Sequence, residues 1–275
     1  MFARLPFSSF GAPAEVPARA DPHDASYPGF PNRRPTMKKL TLLPASLLLF
    51  ATLTTSVTVT AFGDDRGTDD EAVASPWITL FDGESVDAWR EYGKQSVTTG
   101  WRVEDGALTC ISKKEQGAKA RNEDIITKET FGAFELELEF KVTPAANSGV
   151  MFHVLETKKP PYYTGPEIQI QDHVGGRDPQ KCGWLYQLYS SDVDAVKPVG
   201  EWNRLRLVIT PEKCFHELNG VRYAEYVKNS EEWDERVAQS KFGKWEGFGE
   251  AKEGHICLQD HNDEVSFRNI RIRRL

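Results

Sequence analysis

The segment Phe134-Glu-Leu-Glu-Leu-Glu-Phe-Lys-Val-Thr143 alternates apolar and polar residues along its whole length. Successive side chains of a strand point to opposite faces, so the apolar residues share one face and the charged residues share the other. The segment therefore predicts a long strand with one face on a hydrophobic core and the other in solvent.

Strand signals continue on both sides of this segment. Asp105-Gly106 and Asn219-Gly220 are two-residue turns between strand-forming residues, and each indicates a hairpin. One helix is expected from Glu231 to about Lys241, with Ser230 as its N-cap. Further strands are expected at Asn147–Val154, Gly165–Asp172, Arg204–Thr210, Cys214–Leu218, Val221–Val227, Ile256–His261 and Val265–Ile272. Many short strands with scarcely any helix predict an all-β fold, a sandwich or jelly roll of two antiparallel sheets with one short helix.

The first 75 residues differ in composition from the rest. Residues 1–36 are rich in Pro, Ala, Ser and Arg without hydrophobic periodicity, which predicts a disordered upstream extension. Residues 37–63 begin Met-Lys-Lys, continue as an apolar run and end near small residues, which is typical of a secretory signal peptide. Residues 64–75 are then a linker, and 76–275 form one domain. A retained membrane anchor is the alternative, because the apolar run is long.

Net charge and cysteine spacing make some classes of ligand and metal site improbable for this protein. Without residues 1–63 the chain has 28 Lys/Arg and 38 Asp/Glu, a net charge of −10. An acidic protein is a poor partner for nucleic acid, whereas neutral sugars fit better. We expect a periplasmic or extracellular protein with no stable membrane insertion after signal cleavage. The four cysteines form no CxxC motif, so zinc spacing is absent. They are expected to form one or two disulfides or to be isolated thiols in strands.

Polar side chains recur on one face of several predicted strands. Glu167, Gln169 and Gln171 share a face, while Ile168 and Ile170 point to the core. The same alternation groups Gly149, Met151 and His153, and also Cys257, Gln259 and His261. Amides beside a carboxylate suit sugar hydroxyls, which need both donors and acceptors. The alternative interpretation is a solvated outer face.

Two nearby segments, 160–165 and 183–189, carry the aromatic residues that a sugar site needs. Tyr186 in the second is a candidate for stacking against a pyranose ring. The alternative is that these rings pack in the core or in loops.

Several short motifs occur in a fixed order along the mature chain. They are Leu80–Trp89, Asn147–Gly149, Gly165–Gln169, Gly200–Asn203, Leu218–Gly220, Leu258–His261 and Phe267–Ile272. Together they closely resemble the 3-keto-disaccharide hydrolase family, formerly a domain of unknown function with a concanavalin A-like jelly-roll fold. The resemblance runs from about Trp77 to Leu275 and implies an exported enzyme that cleaves glycosides oxidised at C3.

The implied chemistry needs a base, a group that stabilises an enolate oxygen and an acid for the leaving group. A C3 ketone acidifies the C2 proton, and the enolate then expels the C1 substituent before water adds. We expect Glu167 to be the general base and His261 the alternative base or the acid. Lys197 and Arg268 are candidates for the electropositive partner of the enolate, with a structural role as the alternative for Arg268. The expected substrate-binding residues are Gln169, Gln259, His153, Tyr186, Gln171 and Arg268.

No cofactor is expected from this resemblance. A calcium ion fits this kind of fold, with Asp172 and Asp260 as candidate ligands, although no Asp-rich ligand loop is visible. The alternative is that Asp172 and Asp260 hold neighbouring side chains in place. Two non-enzymatic hypotheses stay open, because fold alone does not fix function. One is a carbohydrate-binding module on the same scaffold, and the other is an adhesion domain. Glu167 and His261 favour catalysis if both face one groove.

Overall fold

The computed structural model describes residues 75–117 and 123–275. The predicted upstream extension, the signal peptide and the linker up to residue 74 lie outside the described residues. Within the described part of the chain, no helix is both long enough and apolar enough to cross a membrane.

The described residues form strands β1 to β13, helices α1 and α2, and two 3-10 helices. The strands are β1 Ile78–Phe81, β2 Trp89–Glu91, β3 Trp101–Glu104, β4 Ala107–Cys110, β5 Ile125–Thr127, β6 Phe134–Val142, β7 Asn147–Val154, β8 Glu167–Gln171, β9 Asn203–Ile209, β10 Cys214–Leu218, β11 Val221–Tyr226, β12 His255–Leu258 and β13 Val265–Arg274. The helices are α1 Lys113–Gln116 and α2 Glu231–Gln239, and the 3-10 helices are Pro161–Tyr163 and Lys241–Lys244.

These strands build two antiparallel sheets. The eight-stranded sheet has the order β11-β10-β9-β6-β13-β4-β3, with β1 paired to β13, and the five-stranded sheet has the order β2-β5-β12-β7-β8. One core cluster contains Leu136 and Phe140 of β6 together with Val150 and Phe152 of β7, so apolar faces of both sheets contribute to one core. The predicted all-β jelly-roll sandwich is confirmed.

The charged face of β6 differs from the sequence-based expectation. Glu135 and Glu137 are only 4% and 8% exposed, although both point away from the core. Arginines on the neighbouring strands β9 and β13 cover them: Arg206 and Arg273 bind Glu135, while Arg204 and Arg271 bind Glu137. The alternating segment therefore places a ladder of ion pairs, rather than free charges, on the outer face of the eight-stranded sheet.

The predicted helix and hairpin turns are present. Ser230 Oγ accepts a hydrogen bond from Trp233 N at the start of α2. The helix ends at Gln239, two residues earlier than expected, because Ser240 Oγ caps the following 3-10 helix. Asn219 and Gly220 both have positive φ, as a two-residue hairpin turn requires. All four cysteines are buried and unpaired, which agrees with the isolated-thiol alternative.

Candidate functional site

Strand register brings the predicted polar residues to one face of the five-stranded sheet. Gln169 of β8 lies opposite Gly149 of β7, and Gly149 O accepts a hydrogen bond of 3.0 Å from Gln259 N. Residues directly opposite each other in an antiparallel pair point to the same side. These residues and their same-face neighbours lie on the side of the sheet opposite Ile168 and Ile170, and we call this side the polar face. Its residues are Glu167, Gln169, Gln171, Asn147, Gly149 and Gln259.

Glu167 reaches across the polar face over Gly149. A methyl group on Gly149 would lie 2.1 Å from Oε1 of Glu167, so the carboxylate occupies the space that a side chain would take. Because Gly149 stands between Gln169 and Gln259 in the sheet, the carboxylate lies between these two amides. A glycine at this position is what lets the carboxylate approach the β7 backbone.

The polar face carries a group of buried polar atoms that have no hydrogen-bond partner among residues 75–117 and 123–275. These atoms are Glu167 Oε1, both side-chain polar atoms of Gln169, Gln171 Oε1, Gln259 Oε1 and Asn147 Oδ1. Gln169 and Gln171 are fully buried. An unsatisfied buried polar group costs about 1–3 kcal/mol, so proteins retain few of them. Their concentration around one carboxylate indicates a site that a polar ligand completes.

The electrostatics of this face favour a proton acceptor that works above neutral pH. Burial raises the pKa of Glu167 to about 8; the Lys241 cation opposes this shift, whereas Asp178 and Asp124 add to it. Burial likewise raises the pKa of Asp124 to about 7. Adjacent to Glu167, Met151 and Cys257 belong to a fully buried apolar cluster, which keeps water from this part of the sheet.

The segment after residue 182 forms the edge beside β8. Gly183 N donates to Gln169 O at 2.8 Å, and Tyr186 N donates to Glu167 O at 2.8 Å. Tyr186 is buried, and its hydroxyl donates to Asp178 Oδ2 at 2.8 Å. Lys241 Nζ lies 4.4 Å from the centre of the Tyr186 ring. The Tyr186 ring belongs to the buried core cluster, which agrees with the alternative that these rings pack in the core, and its stacking against a sugar stays a prediction.

Asp124, Asp178 and Lys241 are the charged residues of this region that the sequence interpretation missed. None lies in a motif or on a strand with a polar face. Asp124 precedes β5, Asp178 lies in the loop after β8, and Lys241 opens the 3-10 helix after α2. Only the packing of loops against the sheet edge brings them near Glu167, so no local signal could have found them.

His153 does not lie on the polar face, and the prediction that groups it with Gly149 and Met151 is wrong. Its φ is +52°, and the pairing of β7 with β12 shifts by one residue between Met151 and Val154. This bulge turns the ring inward, edge-on to Phe152, with Nε2 2.9 Å from the carbonyl oxygen of Gly132. Burial lowers the pKa of His153 to about 4, so the ring is neutral.

Lys197 and Arg268 also lie away from the polar face. Lys197 Nζ donates to the carbonyl oxygen of Trp202 at 3.0 Å, just before β9. Arg268 of β13 pairs with Glu139 at 2.6 Å and stacks on Trp202. These contacts lie on the segment before β9 and on the eight-stranded sheet, so the structure shows neither cation beside Glu167, and the predicted roles of Lys197 and Arg268 stay predictions.

The remaining candidates are located at the end of β12 and after β8. His261 is half-buried and follows β12 by three residues, so its role as acid or base stays a prediction. Asp260 accepts hydrogen bonds from Glu123 N and Asn262 N. Asp172 accepts them from three backbone N–H groups, among them Ala145 N.

Asp172 and Asp260 therefore hold turns together. In the described ranges 75–117 and 123–275, no three His, Cys, Asp or Glu side chains are arranged to hold a metal ion. The calcium site stays a prediction.

Comparison with known proteins identifies relatives of this chain. Residues 76–273 match the family described as the 3-keto-alpha-glucoside-1,2-lyase-like domain. A 3-keto-disaccharide hydrolase from Bacteroides thetaiotaomicron is 32% identical over 233 residues, which are 74% of this chain and 79% of the relative.

Solved structures agree with these matches. A candidate glycosyl hydrolase from Parabacteroides distasonis superposes with a TM-score of 0.66 at 28% identity, over 76% of this chain and 97% of that one. A second from the same organism gives a TM-score of 0.56 at 27% identity, over 73% and 100%. Fold, site and relatives together define a glycosidase-type hydrolase on a jelly-roll sandwich. The chain belongs to the family of 3-keto-α-glucoside-1,2-lyase-like domains.

Proposed function

We propose that this protein is an exported enzyme that cleaves 3-keto-glycosides, including 3-keto-disaccharides, by elimination and hydration. Glu167 removes the C2 proton, and the electrons of the C–H bond form an enolate with the C3 carbonyl. The enolate then re-forms the ketone as the C1–O bond breaks, and the leaving oxygen takes a proton. Water adds across the resulting C1–C2 double bond, with its hydroxyl at C1 and its proton at C2. The released products are a 3-keto sugar and the free alcohol or second sugar.

The observation that carries this proposal is the buried carboxylate of Glu167 between the amides of Gln169 and Gln259, whose side-chain oxygens have no hydrogen-bond partner among the described residues. A carboxylate with a pKa of about 8 is a strong enough base for a C–H group next to a ketone. The amides offer both donors and acceptors, so they can orient the hydroxyls of a sugar. His261, beyond the end of β12, is proposed to protonate the leaving oxygen.

The test is to incubate the mature protein with 3-keto-glucosides that carry a chromogenic leaving group, in both anomers, beside the unoxidised glucosides. Release from the oxidised substrates alone is expected. The reaction in D₂O is expected to place deuterium at C2 of the product, because that carbon loses and regains a proton. Release without deuterium at C2 would reject the elimination route, and equal release from oxidised and unoxidised substrates would indicate a conventional glycosidase.

Replacement of the base tests its role directly. Glu167→Gln keeps the size of the side chain but cannot accept the proton, so kcat is expected to fall by about two orders of magnitude or more. Glu201→Gln, at an exposed carboxylate before β9, is the matched control and is expected to retain wild-type turnover.

A non-catalytic carbohydrate-binding module remains the competing hypothesis. It predicts that sugar binds to the wild type with no release of product from any substrate. Export is tested separately, by expressing the whole chain in a bacterial host and determining the N-terminal residue of the protein in the periplasm or medium. Cleavage near residue 63 is expected.

A further inference from the structure

Elimination from a 3-keto-glycoside transfers a negative charge from Glu167 to the C3 oxygen of the substrate. A buried site stabilises such a charge through a cation or preorganised donors placed where the charge develops. The two cations that the sequence suggested for this task, Lys197 and Arg268, are held by Trp202, just before β9, and by Glu139 on the other sheet. A different cation or hydrogen-bond donor is therefore needed to stabilise the charge on the C3 oxygen at the polar face.

Lys241 is a basic residue that the fold brings beside Glu167. Its ammonium lies 4.4 Å from the centre of the Tyr186 ring. The backbone N–H of Tyr186 donates to the backbone carbonyl oxygen of Glu167 at 2.8 Å. Burial raises the pKa of Glu167, and the positive charge of Lys241 opposes that rise. Lys241 is half-buried.

The position of Lys241 is fixed by its neighbours in the chain. Ser240 Oγ accepts a hydrogen bond from Phe242 N and so caps the 3-10 helix that begins at Lys241. Phe242 is buried and stacks on Phe248 with ring centres 3.8 Å apart. A cation held over an aromatic ring keeps its charge while losing part of its hydration, which strengthens its interaction with an anion in the site.

We propose that Lys241 is a catalytic residue that binds the C3 oxygen of the substrate as the enolate forms, an assignment that rests on the proposed function. In this arrangement Glu167 starts as the anion and ends neutral, while the substrate oxygen gains the charge. The charge of Lys241 is then opposite in sign to the charge on Glu167 before the transfer and to the charge on the substrate oxygen after it. Its interaction with substrate strengthens only as the transition state is approached, so it acts on kcat more than on KM.

The experiment compares Lys241→Met and Lys241→Arg with Lys244→Met, at the exposed lysine that ends the same 3-10 helix. Turnover of the chromogenic 3-keto-glucoside and deuterium exchange at C2 are both measured across pH. Lys241→Met is expected to lower kcat by about 10²–10³-fold with a smaller change in KM. Lys241→Arg is expected to recover part of the loss, and Lys244→Met to match the wild type.

The pH profile separates catalysis from structure. Removal of the cation raises the pKa of Glu167 further, so the acid limb of kcat/KM in Lys241→Met is expected to move to higher pH. Melting temperatures of all variants check the fold, and Lys241→Arg serves as the test if Lys241→Met does not fold. If folded Lys241→Met has the wild-type kcat and the same pH dependence of kcat/KM, Lys241 is not the catalytic cation, although the proposed function would still stand. Inactivity of the wild type itself would instead reject the proposed function.

Discussion

The close approach of Glu167 to Gly149 makes Gly149→Ala the sharpest single test of the active carboxylate. The added methyl group would lie 2.1 Å from Glu167 Oε1, whereas ordinary van der Waals contact begins at 3.4 Å. The carboxylate must therefore move by at least the difference, 3.4 − 2.1 = 1.3 Å. A displacement of about 1 Å at a reacting group can cost about 10²-fold in rate, which is about 2.7 kcal/mol of transition-state stabilisation.

Gly149→Ala is expected to change the free energy of unfolding much less than the free energy of activation. Gly149 does not have a positive φ, and the three closest atoms, Oε1, Cδ and Cγ of Glu167, belong to a side chain rather than to the backbone. The free energy of unfolding is therefore expected to change by no more than about 1 kcal/mol, since alanine also restricts the unfolded chain. Gly132→Ala is the control, because its methyl group would meet nothing closer than 3.6 Å.

The assay measures kcat and KM with the chromogenic 3-keto-glucoside, together with thermal unfolding of both variants. A folded Gly149→Ala protein with a 10²-fold lower kcat would support Glu167 as the base in the orientation seen here. Wild-type turnover in Gly149→Ala would refute the reasoning, because a base displaced by 1.3 Å could not keep its geometry.

Three further predictions follow from other contacts. The rate should rise with pH through about 8, because the pKa of Glu167 is raised and its anion is the active base. The free energy of unfolding should fall as pH rises from about 4.5 through about 8, since burial disfavours that anion. In denaturant titrations, Glu167→Gln should remove this part of the pH dependence. Arg268→Ala should leave kcat and KM unchanged, because Arg268 binds Glu139 on the other sheet; a loss above tenfold would contradict that location. Ser230→Ala should lower the free energy of unfolding by about 1 kcal/mol without changing kcat, because it removes the N-cap of α2; an unchanged urea midpoint would show that the cap contributes nothing.

Local sequence patterns predicted most of the strands, although not β1, β2 or β5, and in regular strands they predicted the face that each side chain takes. The alternation in Phe134–Thr143 identified β6, and the alternation in Gly165–Asp172 placed Glu167 and Gln169 on one face of β8. These predictions succeed because side-chain direction in a regular strand depends only on position along the chain. The same rule failed at His153, where a residue with positive φ interrupts the regular strand.

The sequence by itself determined the jelly-roll class, the strand that carries Glu167 and the amides beside it. Only the tertiary structure decided which charges surround that carboxylate. Lys197 binds the segment before β9 and Arg268 binds Glu139 on the other sheet. Lys241, at the start of a 3-10 helix, and Asp178, in a loop, influence the pKa of Glu167 although neither lies in a motif. Strand periodicity is a local property of the backbone, but the distance between two charges depends on how distant segments pack, and that information lies in no single stretch of sequence.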